Sequence, residues 1–146
     1  MSAINAPEEN YSSAGGISNS HPIDKKHPLS ESNPDLERIL AQLSETILKA
    51  YLTVTSITGS SPTFEPVLYA RQVVAGSNYY VKMRVFQQGF PGGNSGRGGD
   101  AGDDDAEYIH VKIFDQPWTS TLELTGISVN MKLQDPFEYN MPALPQ

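Results

Sequence analysis

The chain has 146 residues, enough for one domain of ordinary size and too few for two comfortable ones. Hydrophobic residues make up 38%, while glycine and proline number 12 and 11, so the core must be concentrated in part of the sequence. A formal charge of −7 argues against nucleic acid or an anionic membrane as the main partner, and the lack of any cysteine removes disulfide scaffolds, thiolate metal sites and thiol catalysis.

Residues 1–32 read as a flexible amino-terminal tail. They are polar and broken by Pro7, Pro22 and Pro28, and they contain the pair Gly15-Gly16. Such composition buries too little apolar surface to offset the entropy of ordering. Met1 to Ser13 has neither a basic start nor an apolar run, and no stretch approaches the roughly 18 apolar residues of a membrane helix. With the absence of cysteine, this sets a cytoplasmic location as the expectation.

A helix starts at residue 33. Asn33 suits the N-cap, Pro34 the first helical position, and Asp35 and Glu37 put negative charge in the first turn. Leu36, Ile39, Leu40, Leu43, Ile47, Ala50 and Tyr51 follow at spacings of three and four, which makes one apolar stripe that a sheet or another helix must cover. Thr53 to Ile57 is β-branched and, ahead of Gly59 and Pro62, reads as a connector. Phe64 to Val74 reads as a strand in which Pro66 needs an edge or a bulge, because it has no N–H to give a ladder. Ser77 to Phe86 alternates Tyr79, Val81, Met83 and Val85 with polar neighbours, the pattern of a strand with one buried side.

Residues 87–106 form a glycine- and aspartate-rich insertion, read as a mobile loop. Glu107 to Asp115 alternates Tyr108, His110 and Lys112 against Ile109, Val111 and Ile113. Leu122 to Leu133 supplies the last strand, and residues 136–146 read as a carboxy-terminal tail. One helix followed by sequentially joined strands predicts an α+β domain over residues 33–135, with an antiparallel meander packed on the helix. In a meander the turns at Ala75-Gly76 and Gln116-Pro117-Trp118 fall at the same end of the sheet. Val73, Val74 and Trp118 would then form an apolar edge, not a pocket.

Chemistry-bearing groups are sparse. The acids from Asp100 to Glu107 depart from the spacing of a calcium loop and read as a solvated linker. Glycines 92–99 lack the lysine and the strand-to-helix setting of a phosphate loop. His21, His27 and His110 are scattered, and no nucleophile-elbow motif groups Ser, His and Asp. The expectation is a protein that is not an enzyme and takes no metal or cofactor.

Gln72-Val73-Val74-Ala75-Gly76 fits the Q-x-V-x-G hairpin motif of the cystatins. Ser77 to Lys82, Tyr108 to Phe114 and Leu122 to Gly126 resemble, in order, the later strands of the intracellular branch, the stefins. The likeness covers about residues 33–130 with gaps. A Pro117-Trp118 pair is more like the secreted cystatins, whose disulfides this chain lacks, and the insertion and the proline-bearing spacer before the helix are further departures. The resemblance implies a long helix packed on a four- to five-stranded antiparallel sheet, and reversible, tight inhibition of papain-like, cathepsin-type cysteine proteases. It also implies a three-part wedge. Gly15 or Gly16 would be the trunk glycine, Gln72, Val73, Val74, Ala75 and Gly76 the first hairpin, and Pro117 and Trp118 the second. The other reading is a non-inhibitory module of the same fold that binds other proteins. A monomer is expected, with exchange of a helix-plus-strand unit through the first hairpin as the route to a dimer.

Overall fold

A computed structural model describes residues 17–59, 61–87, 106–138 and 141–142. Helix α2 (Pro34–Gln42) begins as its sequence dictates: the Asn33 side chain accepts a hydrogen bond from the Leu36 N–H at 3.1 Å, with Pro34 in the first turn. The expected single helix runs as two segments. It continues as α3 (Ser44–Thr55) past an interruption at Leu43, whose own N–H still bonds Ile39 and whose carbonyl still receives Ile47. Leu36, Ile39, Leu40, Ile47, Ala50 and Tyr51 are buried along one stripe. The helix also takes in Thr53 to Thr55, expected as connector. The hydroxyls of Thr53 and Thr55 bond back to the carbonyls of Lys49 and Tyr51, which spends their polar groups inside the helix. Ser56 then stops it in a left-handed conformation.

Among the described residues five strands follow one another across one antiparallel sheet: β1 (His21–Pro22), β2 (Thr63–Val74), β3 (Gly76–Phe86), β4 (Tyr108–Gln116) and β5 (Thr121–Met131). The expected α+β architecture of a helix on an antiparallel meander is what the chain adopts. Pro66 lies at a bulge in the β2–β3 pairing, between Pro66 and Leu68, as its missing donor requires. Tyr79, Val81, Met83, Ile109, Val111, Ile113, Leu124 and Ile127 project from one sheet face into the core beneath the helices.

The described part of the expected amino-terminal tail is built into this fold. Ile17 bridges Gln72, β1 pairs with Tyr69 and Leu68, and a short helix α1 (Leu29–Ser32) buries Leu29 in the core. The partners lie some fifty residues along the chain, so local composition alone does not announce them. The described part of the expected carboxy-terminal tail is also packed. Met141 and Phe137 cover Ala70 and Tyr80 on the outer sheet face, and the Ile127 N–H donates to the Pro142 carbonyl at 3.1 Å. Under this segment Lys82, 1% exposed, donates to the carbonyls of Leu133 and Asp135, and the Phe137 ring lies 4.8 Å from that of His110. β4 is therefore buried on both faces from Tyr108 to Val111.

Candidate functional site: an edge of two hairpins

The tip of the first hairpin is a one-residue turn: Val74 pairs with Gly76, and Ala75 joins them. Two features make residue 76 a glycine. Its φ is +119°, where a side chain is strained, and a Cβ built there would stand 2.7 Å from the Asp115 carbonyl oxygen. That close approach seats the first hairpin against the end of β4, where Ser77 pairs with Asp115. One residue further, β4 enters the second hairpin. There Pro117–Thr119 makes a single 3-10 turn, closed by the left-handed Ser120 donating its N–H to the Pro117 carbonyl at 3.0 Å. The two tips thus lie side by side at one end of the sheet.

Among the residues singled out by sequence, Gln72 and its neighbours play different parts. Gln72 is only 8% exposed, and its amide oxygen accepts from Asn78 Nδ2 and from the Tyr80 hydroxyl, each at 2.8 Å. It is an internal brace beneath the tip. Val73 and Val74 are 42% and 37% exposed, and Trp118 is 69% exposed. Ala75 and Pro117 are exposed as well, and Gly76 is half-buried against Asp115. Val54 and Phe86, away from this edge, are as open as the two valines, so it is Trp118 that stands out among the exposed apolar side chains. Gly15 and Gly16 lie outside the described residues.

The amino-terminal chain reaches the same end. From Pro22 back to Ile17 it climbs the β2 edge antiparallel, from Leu68 to Gln72. There the Ser18 N–H donates to the Arg71 carbonyl at 2.7 Å, and the Arg71 N–H donates to Ser18 Oγ at 3.0 Å. Sequence reasoning assigned Gln116 only to a turn. In the structure its side chain spans the two hairpins, with Nε2 donating to the Ala75 carbonyl at 2.7 Å and Oε1 accepting from Thr119 Oγ1 at 2.7 Å. No local signal foretells a contact between residues 41 apart.

Neither tip, Gln72 to Gly76 or Pro117 to Ser120, carries an ionisable side chain. Among the described residues no three His, Asp or Glu side chains gather as a metal site, and no helix is long and apolar enough to cross a membrane. The two tips hold no group set to move a proton.

A helix laid on a sequential antiparallel sheet, with two neighbouring hairpin tips at one end, defines a protein of the cystatin type. No family model matches the chain. Cystatin-A1 of Sus scrofa is 33% identical over 110 residues, spanning 71% of this chain and 80% of the relative. Cystatin-A of Mus musculus is 29% identical over 126 residues, spanning 86% and 96%. Leukocyte cysteine proteinase inhibitor 1 of Sus scrofa is 27% identical over 128 residues, spanning 84% and 88%. The chain belongs to the cystatins, in their stefin, or type 1, branch.

Proposed function

We propose that this chain is a reversible, tight-binding inhibitor of papain-like, cathepsin-type cysteine proteases, acting as a monomer in the cytoplasm. A substrate is cleaved because its extended backbone sets a carbonyl about 3 Å from the nucleophile. A blunt edge of hairpin tips occupies the groove on either side of that position and offers no peptide carbonyl for attack. Val73 and Val74 supply apolar area, and Gly76 lets the turn close against its neighbour. Trp118 supplies a large contact at low entropic cost, as buried aromatic anchors do. Gly15 or Gly16 would continue the wedge as a trunk, allowing close approach to the groove wall. Contacts of this class bury about 800 Å² per partner, within reach of three short segments.

The observation that carries the reading is the approach of Gly76 to the Asp115 carbonyl, which makes two hairpins into one edge. The name of the Sus scrofa relative, a cysteine proteinase inhibitor, supports it. Titration against active-site-calibrated papain tests it. Stoichiometric, reversible loss of activity at nanomolar protein, weakened when the trunk through Gly16 is removed, is the expected result. Papain left fully active by micromolar folded protein would overturn the reading and favour a non-inhibitory module of the same fold.

A further inference from the structure

We propose that Gln116 is a positioning residue that locks the two hairpin tips into one rigid edge. The inference rests on the inhibitory reading for its consequence, though not for its geometry. The β3–β4 ladder ends at the pair Ser77 and Asp115, so among the described residues the tips beyond it share no backbone rung. Gln116 is the next residue along, and its side chain supplies the missing link. The orientation of its amide follows from its partners. The Ala75 oxygen is a carbonyl and can only accept, so the NH2 group faces the first hairpin and the amide oxygen is left to receive Thr119 Oγ1. Thr119 Oγ1 and Thr121 Oγ1 are 2.8 Å apart. The Thr119 hydroxyl also lies 3.1 Å from the main-chain carbonyl of Gln116, but the shorter contact to Gln116 Oε1 takes its one proton, and Thr121 then donates to Thr119. The result is a relay of hydrogen bonds in one direction, from the start of β5, through the second tip, to the carbonyl of the first.

Such a lock matters to a wedge because docking two loose loops costs ordering entropy that a preformed edge avoids. Loss of that preorganisation is read mainly in dissociation.

Three variants separate this role from simple packing. Gln116→Met keeps the length and removes both bonds. Gln116→Glu keeps the acceptor and turns a second oxygen on the Ala75 carbonyl at neutral pH. Protonated below about pH 4, that glutamic acid can again donate. Backbone order parameters of residues 74–76 and 117–119 are the primary readout. They should fall from about 0.85 to below about 0.6 in both variants at pH 7 and recover at pH 4 in Gln116→Glu only, with wild type at both pH values as control. Dissociation from papain at pH 7 should quicken about tenfold with association within twofold, because preorganisation governs residence time. Thr119→Val, which removes the hydroxyl from the relay, should give a smaller loss of order in the same residues.

Tips as ordered in the variants as in wild type would overturn the lock, as would loosened tips with unchanged dissociation from papain. Loss of order without recovery on protonation would assign Gln116 to packing and overturn it too. If wild type fails to inhibit papain while the tips loosen and recover as stated, the inhibitory reading falls and the lock stands.

Discussion

The two ends of the sheet solve the same problem in opposite ways. At the hairpin end, each of the two turns takes only a few residues, polar side chains stitch the turns together, and valine and tryptophan face outward. The opposite end holds the neck of the insertion, where Val85 donates to the Glu107 carbonyl at 2.9 Å. There the polar contacts face the body of the protein. The Tyr51 hydroxyl, from the helix, donates to Glu107 at 3.0 Å and accepts from Gln87 Nε2 at 3.2 Å, so one helical side chain holds both sides of the neck. Burial and the nearby Glu107 charge push the Tyr51 hydroxyl up to about 12, and burial raises the Glu107 carboxyl. Some seven residues of strand, ~23 Å at the usual rise, separate the two ends. A contact surface needs its apolar groups outside and its scaffold small; an anchored neck needs the reverse. Substitutions at one end should therefore leave the other's property untouched.

The largest expected departure is at Gly76. Gly76→Arg places a Cβ against the Asp115 carbonyl in a strained conformation and should weaken papain inhibition more than ~100-fold, with about 1–3 kcal/mol lost in urea unfolding. Trp118→Ala removes an exposed anchor: its cost in affinity should reach ~2 kcal/mol, about 30-fold in Kd, with an unchanged melting temperature.

Tyr51→Phe acts at the other end. It strands the half-buried Glu107, so stability should drop by about 1–3 kcal/mol while inhibition stays at wild-type strength. If this variant loses inhibition with its fold intact, the two ends are coupled and the comparison fails.

Between them lies His110, which burial beneath the carboxy-terminal segment pulls down to about 4, with Lys82 adding to the effect and Asp135 opposing it. Between pH 6.5 and 4 the unfolded chain takes up a proton that the folded chain refuses, so stability declines as pH falls through that window. At about 1.4 kcal/mol per unit the loss amounts to about 3 kcal/mol. His110→Leu should flatten that limb of the pH profile, as measured by denaturant midpoints. The smallest effect concerns salt. With no charge on either tip, raising ionic strength from 0.05 to 0.5 M should change Kd less than ~2-fold.

Much of this was legible before any coordinates. Asn33 and Pro34 announced the helix, Pro66 its bulge, and the alternation from Tyr79 to Val85 its strand, because each signal acts within a few residues. The shared end of the hairpins followed from strand direction alone. For Tyr108, His110 and Lys112 the alternation does not reveal the covering of their face. Alternating polar side chains imply a wet face, yet residues 133–138 and 141–142 lie over it, and the carbonyls of Leu133 and Asp135 satisfy Lys82. The ordering of residues 17–32 likewise depends on partners in β2 and the core, and the Gln116 bridge depends on a fold that must exist before the two residues can meet. Gln72 was expected among the contact residues, whereas its side chain faces inward to Asn78 and Tyr80.

The segment over Lys82 gives the sheet a third layer, and that layer is held by a single strip of chain. Exopeptidase trimming that reached Phe137 would strip Met141 and Phe137 from Ala70, Tyr80 and His110 together, while Leu133 and Asp135 still hold Lys82. A stock of protein clipped in this way should self-associate on storage, and its shelf life would then be set by Phe137 and Met141, not by the helix that anchors the core.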